Sequence, residues 1–108
     1  MAPTVYMNGF KGCSLKAACE RTAEFSVPKI PNGCCVLSVT NGDGTGHNEA
    51  RTFDVYLNGK YVVGDNPTGS RRFASAKVSL AEHNTIKVVI LGDTSSVLFV
   101  AMNYDPRH

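Results

Sequence analysis

Three groups of residues in this chain could do chemistry: four cysteines, three histidines and the oxygen-rich loop from Asn41 to Ala50. Cys13, Cys19, Cys34 and Cys35 all lie in the first third of the chain. Two disulfides among them would close short loops over a weakly hydrophobic segment, each contributing about 2–4 kcal/mol. They would also place the protein in an oxidising compartment, outside the cytosol or at the cell surface. A four-cysteine zinc site competes, but structural zinc takes its thiolates as closely spaced pairs such as C-x2-C. Here the spacings are C-x5-C and an adjacent pair, whose side chains rarely aim at one metal. Buried free thiols are the third option. Disulfides are the expectation, with connectivity left open.

The histidines add little. His47 and His83 fall in expected turns, where a solvated imidazole is ordinary, and His108 ends the chain. A cysteine paired with His47 or His83 as nucleophile and base has no spacing in its favour. The chain has no G-x-S-x-G, no H-E-x-x-H and no glycine loop that cradles phosphate. A non-catalytic protein is expected.

The loop Asn41-Gly42-Asp43-Gly44-Thr45-Gly46 imitates the start of a calcium loop, with oxygen-bearing side chains alternating and glycine sixth. A full loop ends on a bidentate glutamate at position twelve. Thr52 stands there, and Glu49 arrives three residues early. Asn41, Asp43 and Glu49 are thus candidate calcium ligands, against a plain glycine-rich connection. No other cofactor is implied.

Sugar recognition commonly stacks an exposed aromatic on the ring and reads the hydroxyls with polar side chains. The chain has no tryptophan. Tyr56 and Tyr61, beside Asp54 and Lys60, make the best available platform, in competition with ordinary cross-strand packing.

The elements that must position these residues read as strands. Phe53, Val55 and Leu57 alternate with Asp54 and Tyr56, the period of a strand with one buried face. Asn58-Gly59 then makes a type I′ hairpin turn into Tyr61-Val62-Val63, since both residue types tolerate φ > 0. Further strands are expected at Thr4–Met7, Ala23–Val27, Cys34–Thr40, Phe73–Leu80, Thr85–Leu91 and Ser96–Asn103. Asn8-Gly9 reads as a turn. Ser14–Arg21 reads as a short helix or a cysteine-pinned loop. Phe25–Val27 and Leu37–Val39 are expected to pair as a hairpin. The expected core is Phe53, Val55, Leu57, Val78, Leu80, Ile86, Val88 and Phe99. Strands at intervals of 8–12 residues with turn chemistry between them describe an all-β chain, a single antiparallel β-sandwich of seven or eight strands. The last strand is apolar on both faces, so either the N-terminal segment or another chain should cover it.

Composition narrows the partners. With 43% hydrophobic and 19% charged residues, 108 residues make one domain with one core. A net charge of +2 is too mild to argue for nucleic acid. No run of 18 apolar residues spans a membrane. Met1-Ala2-Pro3-Thr4 leads into polar sequence, so no signal peptide is read in this chain.

From Cys35 to Ala101 the order of signals resembles small Ig-like or carbohydrate-binding-module-like domains of bacterial secreted and surface proteins. The matching pieces are Val36-Leu37-Ser38-Val39-Thr40-Asn41-Gly42, Phe53 to Lys60, Val78-Ser79-Leu80, Asn84-Thr85-Ile86-Lys87-Val88 and Gly92 with Val97-Leu98-Phe99-Val100. The resemblance implies an Ig-like accessory sandwich over residues 35–108, preceded by a cysteine-rich segment over 1–34. It transfers no site residues. The expected function is binding or adhesion at the cell surface, with a glycan or a protein as partner. The alternative is a structural subunit that assembles with copies of itself by exchanging its N-terminal strand.

Overall fold

The computed structural model describes residues 4–28, 34–45, 47–64 and 73–104. They form eight strands: β1 (Thr4–Lys11), β2 (Ser14–Ser26), β3 (Cys35–Asn41), β4 (Thr52–Leu57), β5 (Lys60–Gly64), β6 (Phe73–Val78), β7 (His83–Gly92) and β8 (Val97–Tyr104). One sheet has the order β1-β8-β3-β6 and the other β2-β7-β4-β5. Every pairing is antiparallel. Among the described residues no helix is long and apolar enough to cross a membrane.

The single antiparallel sandwich is as expected, but its connectivity is not that of an Ig domain. Ig sheets group strands A, B, E and D against C, F and G, with A beside B. Among the described strands only β4 and β5 are neighbours in both chain and sheet, and each other pair of consecutive strands lies in different sheets. Eight strands in this crossing pattern make a jelly roll.

The core sits between the sheets and follows the pleat. Leu37 and Val39 of β3 and Leu98, Val100 and Met102 of β8 point inward from one sheet. Phe53, Val55 and Leu57 of β4 and Ile86, Val88 and Ile90 of β7 meet them from the other. Each such side chain contributes about 1.5–3 kcal/mol by leaving water. Seven of the eight expected core residues are buried; Phe99 is the exception, at 45% exposure. The β3–β8 register pairs Leu98 with Asn41, Phe99 with Thr40 and Val100 with Val39. Leu98 and Val100 take the inward phase, and a period of two sends Phe99 outward.

The N-terminal third is woven into both sheets. Residues 14–21 are neither helix nor free loop but the start of β2, which pairs along β7 from Cys19 to Ser26. Two helical turns make few hydrogen bonds, whereas the open edge of β7 offers a whole ladder. The register slips between Ser14 and Cys19, and the Cys13–Cys19 disulfide spans that irregularity. β1 runs through Asn8-Gly9 without turning and pairs with β8. Residues 25–27 and 37–39 do not form a hairpin, because β3 lies between β8 and β6 in the other sheet. Thus β1 and β2 flank the C-terminal strands edge to edge rather than covering their outer faces. The second disulfide joins the adjacent residues Cys34 and Cys35, both buried.

Candidate functional site

The β4–β5 hairpin turns at Asn58 (φ 53°) and Gly59 (φ 83°), both left-handed as a type I′ turn requires. The turn is anchored from outside as well. Asn58 Nδ2 donates to Asn84 Oδ1 at 3.0 Å, and the Thr85 amide donates to Asn58 Oδ1 at 2.8 Å. Asn84, itself buried, also donates to the Ala81 carbonyl and accepts from the Ala81 amide. The hairpin tip and the β6–β7 turn are therefore one hydrogen-bonded unit.

That unit positions three of the four expected ligand-binding residues. Tyr56 and Tyr61 are cross-strand partners, with rings edge to face, centroids 5.7 Å apart and planes at 75°. A Cβ on Gly64 would stand 2.5 Å from both Asp54 Oδ1 and the Tyr61 hydroxyl. The carboxylate and the phenol thus both crowd the space over this glycine, and a side chain there would have to displace them. Lys60 is not part of that outer face, because it pairs with the inward-facing Leu57. The cation beside the tyrosines is Lys87 of β7, its Nζ 4.6 Å from the Tyr56 centroid. Lys87 is the register partner of Tyr56. Its place is readable only as the phase of β7 opposite Ile86, Val88 and Ile90, with nothing in the sequence to say which strand lies alongside.

Lys60 lines a groove instead. Between β5 at the edge of one sheet and β6 at the edge of the other lies an opening of about 670 Å³. Its apolar lining is Leu57, Val62, Ala76 and Val78, and its polar lining includes Lys60, Tyr61, Lys77 and Ser79. Tyr61, 51% exposed, belongs to both the tyrosine pair and the groove. Lys77, Ala76 and Ser79 escaped sequence reasoning because β6 and β5 meet only through the sandwich, not through a ladder.

The 41–50 loop sits at the opposite end of the molecule from the hairpin tip. Its start pairs with the beginning of β8, and the residues after it with the end of β7. Asn41, almost wholly buried, donates to the Ala50 carbonyl at 3.0 Å and accepts from the Ala50 amide at 2.8 Å. Both ends of its amide are thus used to close the loop base. Asp43 Oδ1 accepts from the Thr45 amide at 2.8 Å and the Thr45 hydroxyl at 2.6 Å. Those bonds hold its pKa down, from the ordinary 3.8 to about 2. Glu49 is half-buried on the same loop, and Gly46 lies outside the described residues. Among the described residues no three of His, Cys, Asp and Glu gather as a metal site. The 64–70 connection, apart from Gly64, also lies outside the described residues.

Both internal histidines meet hydroxyls. His83 Nδ1 is 2.9 Å from Ser26 Oγ across β2 and β7, and His47 Nδ1 is 3.0 Å from Thr45 Oγ1. All four cysteines are in disulfides, so no thiol is on hand for a cysteine–histidine nucleophile. Arg21 donates to Cys13 Sγ and to the Lys11 carbonyl, tying β2 back to the first turn.

No protein-family model matches the chain, and no curated protein matches its sequence. Four solved chains match it. One of these structures is described as the catalytic domain of Agl-KA, with a TM-score of 0.35 and 19% identity. The match covers 78% of this chain and 19% of that one, so this chain spans about a fifth of that structure's length. A likeness of that size bears on neither fold nor activity.

Proposed function

We propose that this chain is a non-catalytic binding module that works outside the cell and holds a glycan in the groove between β5 and β6. Tyr61 carries the reading. Its ring is half exposed at the groove, braced edge-on by Tyr56, and its hydroxyl is seated over Gly64. A ring fixed in this way can stack on a sugar with little loss of its own freedom. The groove's size and its apolar lining with a few polar groups suit a small ligand. The two disulfides support an extracellular setting. Isothermal titration of wild type and Tyr61→Ala with a panel of oligosaccharides tests the assignment. Truncating the ring should weaken binding about tenfold, equivalent to about 1.4 kcal/mol. Equal affinity in the two proteins would remove Tyr61 and the groove from the site.

A second reading, the self-assembling surface subunit, is favoured by a different observation. Met7, Phe73 and Phe99 are 66%, 55% and 45% exposed. They spread across the outer face of the β1-β8-β3-β6 sheet, where the register aligns Gly9, Phe99, Thr40 and Phe73 in one row. Contiguous exposed apolar surface of this kind marks contact sites. The N-terminal strand, by contrast, is already paired with β8 of its own chain. Sedimentation over a wide concentration range, with Phe99→Ser as the variant, separates the readings. A wild type that stays monomeric throughout rules the subunit out.

A further inference from the structure

Resting on the reading of the β5–β6 groove as a glycan site, we infer that its ligand is an acidic glycan, one whose sugar rings carry carboxylates.

The groove's charge is one-sided. Lys60 at the start of β5 and Lys77 on β6 line it from the two different sheets, and among the described residues none that lines it is acidic. Neither ammonium forms an ion pair with a described residue. Asp54, the nearby carboxylate, sits over Gly64 and is not among the lining residues. Lys77 shares the outer phase of β6 with Phe73, and Lys60 the phase of Leu57, so a ligand lying across the groove meets a lysine at each rim and an apolar surface between them. Charge complementarity calls for an anion that also has apolar faces to bury.

An extended acidic peptide is the other ligand of that charge, and the edges of the groove are built against it. Adding a strand needs a straight run of free backbone groups at a sheet edge. β5 is only five residues long, and its register slips opposite Val55 and Tyr56, so its ladder is interrupted after one turn of the pleat. β6 carries Lys77 at the groove. Short edge strands, bulges and edge lysines are the devices that discourage strand addition. A braced tyrosine ring, in contrast, is made for the flat face of a pyranose. A sugar acid uses these features at once: its ring face meets Tyr61, and its carboxylates meet Lys60 and Lys77.

The test is calorimetric titration of the whole chain with tetragalacturonate, neutral cellotetraose and tetraglutamate. Wild type, Lys60→Gln, Lys77→Gln, Tyr61→Ala and the remote Lys16→Gln are compared, with circular dichroism of each to confirm the fold. Tetragalacturonate should bind most tightly, should weaken about tenfold with either groove lysine removed, and should weaken as salt is raised. Lys16→Gln should match wild type. Cellotetraose binding as tightly, with both lysine variants unaffected, would overturn the acidic preference while leaving the glycan site in place. Binding of tetraglutamate but neither sugar would overturn the sugar assignment in favour of a peptide. Absence of binding by all three would overturn both the preference and the site.

Discussion

Tyr6 of β1 and Phe25 of β2 stack with ring centroids 4.1 Å apart and planes within 19° of parallel. The stack bridges the two sheets along the side where β1 faces β2. The opposite side, where β5 faces β6, carries the groove instead. One long side of the sandwich is clasped by aromatic rings, and the other is left open to a ligand.

The clasp should register as a coupling energy. In a double-mutant cycle with Tyr6→Leu and Phe25→Leu, urea unfolding should give an interaction of about 1 kcal/mol beyond the separate losses. Additive losses would mean that the two rings pack independently.

Asn41 should be far more sensitive than a loop asparagine ordinarily is. Asn41→Ala removes two buried hydrogen bonds and strands both the amide and the carbonyl of the buried Ala50. A loss of about 2–4 kcal/mol is expected, again by chemical denaturation. A loss below about 0.5 kcal/mol, the scale of an ordinary surface substitution, would show that water replaces the clamp without cost.

Acid should act on the loops before it acts on the core. Hydrogen bonds from Thr45 hold the Asp43 carboxyl down to about 2, and those from Ser95 lower that of Asp93. A carboxyl depressed in the folded state adds stability that is fully present above its unfolded value, near 3.8 for Asp43. That contribution is lost as pH falls toward about 2. NMR titration should show the Thr45 amide shift following a carboxyl that titrates near 2. Asp43→Asn should flatten that transition, and an Asp43 midpoint near 4 would contradict the loop geometry.

The two disulfides should differ in worth. Cys13–Cys19 closes a loop across the irregular start of β2, and its loss should cost about 2 kcal/mol. Cys34–Cys35 links residues one apart and closes no loop that an unfolded chain would otherwise explore. Comparing urea midpoints with and without reductant, wild type should lose about 2 kcal/mol on reduction. The Cys13→Ala/Cys19→Ala variant should change by less than about 0.5 kcal/mol, within the scatter of a neutral change. A large drop in that variant would reverse the assignment.

What could be read from the residues was the local part of this structure. Alternation located β3, β4, β6 and β7, and Asn58-Gly59 identified the only connection between sheet neighbours among the described strands. Everything that depended on which strand lies beside which was out of reach. β2 looked helical at Ser14–Arg21 because its partner, the edge of β7, is some seventy residues away in sequence. Both phases of β8 are apolar, so alternation alone lets Phe99 face inward, and only pairing with β3 breaks the tie. The site divided the same way. Tyr56, Tyr61 and Asp54 share one hairpin and were found together. Lys87 and Lys77 reach the neighbourhood through a ladder and across a sandwich, and no short-range pattern announces them.

The crossing order of the strands also governs when the molecule can exist at all. Thr4 lies opposite Asn103, and the Thr4 hydroxyl donates to the Asn103 side chain at 2.8 Å. β2 waits for β7, and β3 waits for both β6 and β8. During synthesis the β4–β5 hairpin is the one pairing available early; the remaining strands emerge with bare edges and no partner yet made. Closure of so many distant loops is slow, and exposed edges invite pairing with other chains. A sandwich built in this order is completed by β8, and until β8 has left the ribosome β1 has no strand to pair with.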